Sequence, residues 1–266
     1  MLVIKIGGGK TIGATSIVEN AAKLVKNKGE KIVIVNGGNA LLDQKMRDEG
    51  YEPRIITSER GEKSRFTDEQ TIKFLKEVYV DEIADALVNI LKRDCGVDAI
   101  NLSKEDNPII AKQHGRMRIV EDGKIKVIDG DLTGKIVKVE VEKIQKALDE
   151  NKIPLLCPPA KTEDGKELNV DGDKIASQVA IALKADKLIF FSDTNGLLEN
   201  VEDEMSTIPE ISIKDADKFA VGRMKKKVLA AKRAIEAGVS EVIFADGRIE
   251  NAIDAALKGE SGTKVF

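Results

Sequence analysis

The chain alternates short, β-branched apolar runs with longer amphipathic stretches, and few folds accommodate that alternation. Candidate strands are Leu2–Ile6, Lys31–Val35, Ala99–Leu102, Ile153–Cys157, Leu188–Ser192 and Glu241–Ala245. Candidate helices are Ile17–Asn27, Ala40–Glu49, Asp68–Lys92, Val141–Glu150, Lys174–Leu183, Met224–Ala237 and Asn251–Leu257. Strand followed by helix, repeated, predicts an α/β fold with a mostly parallel central sheet, because strands covered on both faces read as continuous apolar runs. At 266 residues the chain forms one large domain or two lobes sharing a sheet. Arg116–Val120 and Lys124–Ile128 flank Glu121-Asp122-Gly123, and Asp-Gly favours a tight turn, so a β-hairpin added to the main sheet is expected. Pro158–Gly172 is the longest irregular-looking piece and a candidate functional loop or lobe junction.

Composition removes several function classes. Aromatic residues are 3% of the chain, with no Trp, so base-stacking platforms are not expected. A net charge of -3 argues against general nucleic-acid binding. The single histidine, His114, excludes a multi-histidine metal site. Cys95 and Cys157 lie far apart in sequence and form no ligand motif, so they read as buried free thiols suited to a reducing cytosol. No apolar stretch approaches membrane-spanning length and Lys5 interrupts the first apolar run, so a cytoplasmic protein is expected.

Two strand ends carry the strongest chemical signal. Leu2-Val3-Ile4-Lys5-Ile6 empties into Gly7-Gly8-Gly9, and Val33-Ile34-Val35-Asn36 empties into Gly37-Gly38-Asn39. A lysine in a buried strand is costly unless an anion meets it. Glycines bare the backbone N–H groups that can cradle that anion. In parallel sheets such loops meet beyond the carboxyl ends of the strands. The alternative for each segment is an ordinary strand–turn–helix connection.

Further along, Arg65 precedes a helix start at which Thr67 or Asp68 can serve as cap, and its planar fork suits a carboxylate. Leu168-Asn169-Val170-Asp171-Gly172-Asp173 lacks the closing Glu of a calcium loop but can present Asn169 and Asp173 into a cleft. Ser192-Asp193-Thr194-Asn195-Gly196 ends a strand in polar, turn-forming residues that can contact a nucleotide. Lys225-Lys226-Lys227 opens a helix, an unfavourable place for cations that points to an anionic ligand; for Lys225 and Lys226 a solvated basic turn is the competing reading.

Taken in order, these segments resemble the amino-acid kinase superfamily, and within it the acetylglutamate kinase branch. The resemblance spans nearly the whole chain and implies an open αβα sandwich. Residues 1 to about 172 would form a lobe for the acidic substrate, and about 173 to 266 a lobe for ATP. It implies Lys5 and Lys227 as the lysines that stabilise the transferring phosphoryl group and Asp173 as the aspartate that orients them. Gly8, Gly37 and Gly38 would be backbone donors. Arg65 and Asn169 would hold the substrate α-carboxylate and its amide. Gly7, Gly8, Asp193, Asn195, Gly196 and Lys225 would line the ATP site, with Mg²⁺ carried by ATP rather than by a protein metal site. A homodimer is a family expectation.

Ser64-Arg65-Phe66-Thr67 and Asn169-Val170-Asp171-Gly172-Asp173 look most like the lysine-biosynthesis branch. Its kinases phosphorylate 2-aminoadipate or glutamate whose amino group is attached to a small acidic carrier protein of the LysW type. Arg116 and Arg118, with Arg54, Arg60, Lys63 and Arg65, would give a basic rim for that carrier; a solvated hairpin is the competing reading. Two departures stand out: Asn36 where the family usually has His, and Asn39 where it usually has a third Gly. Two other functions remain open: an acetylglutamate kinase acting on the free small molecule, and a non-catalytic amino-acid sensor.

Overall fold

The computed structural model describes residues 1–59, 61 and 63–266. Arg60, expected in the basic rim, lies outside the described residues. An eight-stranded sheet crosses the molecule. Its order is Glu210–Ile211, Thr263–Val265, Glu241–Asp246, Lys187–Ser192, Leu2–Ile6, Ile32–Asn36, Ile153–Leu156, Ala99–Asn101. The six strands from Glu241–Asp246 to Ala99–Asn101 are mutually parallel, whereas Thr263–Val265 runs antiparallel to Glu241–Asp246. Four strands come from residues 2–156 and four from 187–265, with Leu2–Ile6 at the junction.

Alternate residues of each strand feed two cores. Val3, Val33 and Val35 pack with the helices Val141–Asp149, Gly172–Ala182 and Met224–Glu236. Leu2, Ile4, Ile6, Ile32 and Ile34 pack on the other face with the helices Ala14–Lys28 and Ala252–Lys258 and with Leu87–Leu91. This is the expected three-layer αβα sandwich, and the period-two alternation decides on which face each side chain emerges. Lys5 shares the face of Val3, and so emerges toward the helices Gly172–Ala182 and Met224–Glu236.

The long helix expected over Asp68–Lys92 forms with mixed winding. It is α-helical over Glu69–Leu75 and Asp85–Asn89, and π-helical over Lys76–Ala84 and Ile90–Asp94. Asp68 is its N-cap, accepting from Thr71 N at 2.8 Å. Side chains at three neighbouring strand ends tie down the wide turns. Tyr79 O accepts from Asn36 Nδ2 (3.3 Å) and Cys157 Sγ (3.4 Å), and Val80 O from Asn101 Nδ2 (2.9 Å). Cys157 is a buried free thiol, its pKa pushed up to about 12 by burial.

The hairpin corrects an expectation. Met117–Glu121 and Lys124–Ile128 pair as foreseen, through a turn in which Asp122 and Gly123 take φ of 53° and 71°. These positive angles are the conformation Asp-Gly favours. The hairpin does not join the main sheet, however, but is a two-stranded sheet of its own. Ile119 is its buried residue, whereas Val120, Ile125 and Val127, which share the opposite face, stay exposed rather than packing on the large sheet. A bridge from Ile119 to Ser58 ties it to the hairpin Ile55–Thr57/Lys63–Arg65. A four-stranded sheet, Glu167–Leu168, Ala160–Lys161, Ile109–Gln113, Gly134–Val139, was not foreseen, and two of its strands lie in the irregular-looking stretch before Asp173.

Candidate active site

The parallel strands end on one edge, and Lys5, Asp173 and Lys227 gather there. Lys5 enters from the central strand, Asp173 from the first turn of the helix Gly172–Ala182, and Lys227 from the first turn of the helix Met224–Glu236. Lys5 Nζ lies 2.8 Å from Asp173 Oδ1, and Lys227 Nζ lies 2.9 Å from Asp173 Oδ2 and 3.1 Å from Oδ1. Asp171 caps the Asp173 helix, accepting from Asp173 N at 2.8 Å.

The Asp173 carboxylate is thus shared by two lysines. Burial pushes its pKa up, but Lys5 and Lys227 outweigh burial and hold it well below the usual carboxylate range. Lys227 shifts down, through burial first and then the Lys5 cation, with Asp173 opposing. Two ammonium groups against one carboxylate leave an unbalanced positive charge in a nearly closed site. Such a charge is expensive without an anion beside it. The Lys227 Nζ also sits 5.7 Å from the centre of the Phe190 ring.

The two glycine turns touch. A Cβ on Gly8 would stand 2.6 Å from Gly38 N and 2.5 Å from Asn39 N. A Cβ on Gly38 would come within 2.8 Å of the Tyr79 ring and 2.5 Å of Ile83 Cδ1. Side chains are therefore excluded by close approach at both positions. Not every N–H expected as a donor is open: Gly7 N donates to Phe191 O (3.0 Å) and Gly37 N to Ile6 O (2.9 Å). These two groups extend the sheet, which leaves Gly8 and Gly38, of the three expected donors, with N–H groups that take no backbone acceptor among the described residues.

Arg65 and Asn169 lie on the Lys63–Arg65 strand and just past the Glu167–Leu168 strand. Arg65 Nη2 meets Asp43 Oδ1 at 2.5 Å and its Nη1 lies 3.4 Å from Met46 Sδ. Asn169 Nδ2 donates to Thr67 Oγ1 at 3.0 Å. Asp193 is exposed at the end of the strand Lys187–Ser192, with Oδ2 3.4 Å from where a Gly9 Cβ would stand. Asn195 braces its loop, donating to Thr207 Oγ1 (3.1 Å) and accepting from Ser261 Oγ (2.9 Å). Gly196 is buried against Thr263. Lys225 is exposed, and Lys226 Nζ reaches Lys63 O at 3.3 Å, linking the last long helix to the strand that carries Arg65. Arg116 and Arg118 are exposed and ion-paired, to Asp129 (3.4 Å) and Glu59 (3.0 Å).

Asp43 and Tyr79 were not foreseen. Tyr79 Oη donates to Asn39 Oδ1 at 2.9 Å, and burial pushes the phenol pKa up, which keeps that donor protonated. No motif marks either residue; each depends on a helix being placed against the second glycine turn. Among the described residues, no group of three or more His, Cys, Asp or Glu side chains is placed to hold a metal ion. No helix among them is long and apolar enough to cross a membrane.

This arrangement, a lysine-bearing central strand, paired glycine turns and a second lysine on a late helix, has relatives. Residues 1–246 match the model of the amino acid kinase family, and the chain belongs to that family. It is 40% identical over 269 residues to the [LysW]-aminoadipate kinase of Deinococcus radiodurans, covering 100% of this chain and 91% of that one. It is 37% identical to the [LysW]-aminoadipate kinase of Thermus thermophilus, with both chains covered in full. In fold it is similar to N-acetylglutamate synthase from Neisseria gonorrhoeae, with TM-score 0.76, 23% identity, and 99% of this chain against 58% of that chain. Giardia carbamate kinase shares the fold at TM-score 0.61 and 17% identity, covering 100% of this chain and 98% of that chain.

Proposed function

We propose that this chain transfers the γ-phosphoryl group of ATP to the side-chain carboxylate of 2-aminoadipate, or of glutamate, whose amino group is attached to a small acidic carrier protein. A carboxylate oxygen attacks the γ-phosphorus, and the bond from that phosphorus to the bridging oxygen of ADP breaks. The products are an acyl phosphate and ADP. The nucleophile is ionised at neutral pH, so no general base is required. Catalysis reduces to alignment and charge neutralisation.

The carrying observation is the buried Lys5–Asp173–Lys227 cluster, whose unbalanced positive charge suits a transferring phosphoryl group. Lys5 and Lys227 stabilise the phosphoryl oxygens, and Asp173 holds both ammonium groups in place. The Gly8 N–H supplies a fixed dipole. Arg65 takes the substrate α-carboxylate and Asn169 the amide that links substrate to carrier. Asp193 and Lys225 border the nucleotide, and Mg²⁺ arriving with ATP neutralises further phosphate charge. Residues up to about 172 serve the acidic substrate, and those from 173 onward serve ATP. Arg116 and Arg118 steer the carrier, since exposed cations on a projecting hairpin act through the field they present. A cytoplasmic setting and a homodimer complete this reading. The names of the curated relatives favour carrier-linked aminoadipate over free acetylglutamate.

The test is ATP-dependent acyl-phosphate formation, trapped as hydroxamate, with carrier-linked aminoadipate, carrier-linked glutamate and free acetylglutamate. Turnover of a carrier-linked acceptor alone is expected. Efficient turnover of free acetylglutamate would overturn the carrier-linked reading in favour of the acetylglutamate kinase alternative.

A further inference from the structure

Asn169 is held through its backbone and through one end of its side chain. Its backbone N–H donates to Leu132 O (2.8 Å) and its carbonyl accepts from Gly134 N (2.9 Å), so the main chain is clamped on both sides. Its side-chain Nδ2 donates to Thr67 Oγ1 at 3.0 Å. Thr67 is fully buried, and its own hydroxyl proton goes to Arg65 O at 3.2 Å. A hydroxyl has one proton to give. With that proton committed, Thr67 Oγ1 can only accept from Asn169, which dictates that the amide nitrogen, not the oxygen, faces the threonine.

Thr67 is itself fixed from behind. Asp131, buried, accepts from Thr67 N at 2.8 Å through Oδ1 and from the Thr133 hydroxyl through Oδ2. Thr67 O in turn accepts from Leu132 N at 2.7 Å. The charge of Asp131 is met by an N–H and an O–H rather than by a cation among the described residues. Asn169 Oδ1, at the other end of the carboxamide, takes no donor among the described residues.

We infer that Thr67 and Asp131 are positioning residues that lock the Asn169 carboxamide with its oxygen toward the substrate, so that the site selects a linkage bearing an N–H. The inference rests on the proposed placement of Asn169 at the substrate amide. Once bound substrate excludes water, a fixed acceptor rewards an amide N–H and is left unpaired by a linkage without one. A rotatable carboxamide could offer its NH₂ instead and would lose that preference.

The experiment compares carrier-linked aminoadipate, joined by an amide, with a carrier carrying 2-hydroxyadipate through an ester, in which oxygen replaces the N–H. Wild-type enzyme is expected to prefer the amide by about tenfold in kcat/KM, mainly through KM. Thr67→Ser should keep the preference. Thr67→Val should reduce it to about twofold or less while the KM for ATP stays as in wild type. A merely structural role would lower activity toward both linkages alike. Equal use of both linkages by wild type, or the wild-type preference surviving in Thr67→Val, would overturn the inference. If Thr67→Val does not fold, Asp131→Asn decides by the same ratio. Wild-type silence toward every acceptor would overturn the proposed function, whereas wild-type turnover without linkage preference overturns only this inference.

Discussion

Arg65 Nη2 stands 2.5 Å from Asp43 Oδ1, so the arginine expected to receive a substrate carboxylate already holds one. Asp43 sits on the helix Asn39–Asp48 that follows the second glycine turn, and both side chains are largely withdrawn from solvent. An incoming acid must share the guanidinium with Asp43 or displace it. Asp43→Asn keeps an acceptor in place and removes the competing charge. The KM for the acidic substrate should fall about two- to fivefold, equivalent to roughly 0.4–1 kcal/mol. Initial-rate kinetics at saturating ATP read this directly, and a rise in KM would show that Asp43 orients the arginine rather than competing for it.

Lys5→Ala and Lys227→Ala should each lower kcat by about 10²–10³, with smaller changes in the KM for ATP, because each removes a preorganised charge used in the transition state. Single-turnover hydroxamate assays separate chemistry from product release. Near-normal turnover in either variant would refute that lysine's role.

Asp173→Ala should destabilise the fold by about 3–5 kcal/mol, since two buried ammonium groups lose their shared partner. In the native protein the depressed Asp173 pKa contributes stability that is present above the unfolded-state value near 3.8 and is lost as pH falls toward the folded-state value. Lys227 gives a pH slope of the same sign in a higher window, because its buried cation is a cost that deprotonation relieves. Its pKa is lowered, so stability from this group rises with pH between the folded-state value and 10.5. Activity should therefore decline on the alkaline side with a midpoint below 10.5, as Lys227 loses its proton. Urea denaturation at pH 7 and pH 3, together with a pH–rate profile, measures both.

Arg116→Ala with Arg118→Ala should raise the KM for a carrier-linked substrate by about tenfold at low salt and leave stability within ~0.5 kcal/mol of wild type, because both side chains are exposed and their ion pairs weak. The effect should shrink as ionic strength rises. Unchanged carrier kinetics at low salt would remove the hairpin from the docking surface.

Gly8→Ala places a Cβ 2.5 Å from Asn39 N, against backbone that cannot rotate away. It should cost about 1–3 kcal/mol of stability and at least a hundredfold in kcat, since the two turns must part. Gly115→Ala is the matched control, because nothing lies within 4 Å of its Cβ. Thermal melts and kcat for both variants make the comparison.

Much of this architecture is legible in the amino-acid order. Six apolar runs become six parallel neighbours in the sheet because a run such as Leu2–Ile6 has no polar face to offer water. Lys5, Asp173 and Lys227 meet as the resemblance implies. The four-stranded sheet was hidden because strands as short as Ala160–Lys161 carry almost no periodicity. The π-helical winding of Lys76–Ala84 was hidden because its apolar spacing also suits an α-helix; Asn36, Cys157 and Asn101, which tie it down, are remote in sequence. Asp43 escaped notice because a lone acidic residue on an amphipathic helix gives no local sign of the arginine across from it. Gly37 read as an open donor, yet its N–H is consumed by Ile6 O, a pairing set by sheet register.

The central strand has one further consequence. Leu2–Ile6 leaves the ribosome before both of its sheet neighbours: Ile32–Asn36 follows quickly, and Lys187–Ser192 comes about 180 residues later. The strand bearing Lys5 must therefore wait with one edge bare, and the Lys5–Asp173–Lys227 cluster closes only when the helix carrying Lys227 docks. Contacts so distant in sequence favour slow, late assembly and leave an open apolar edge during translation.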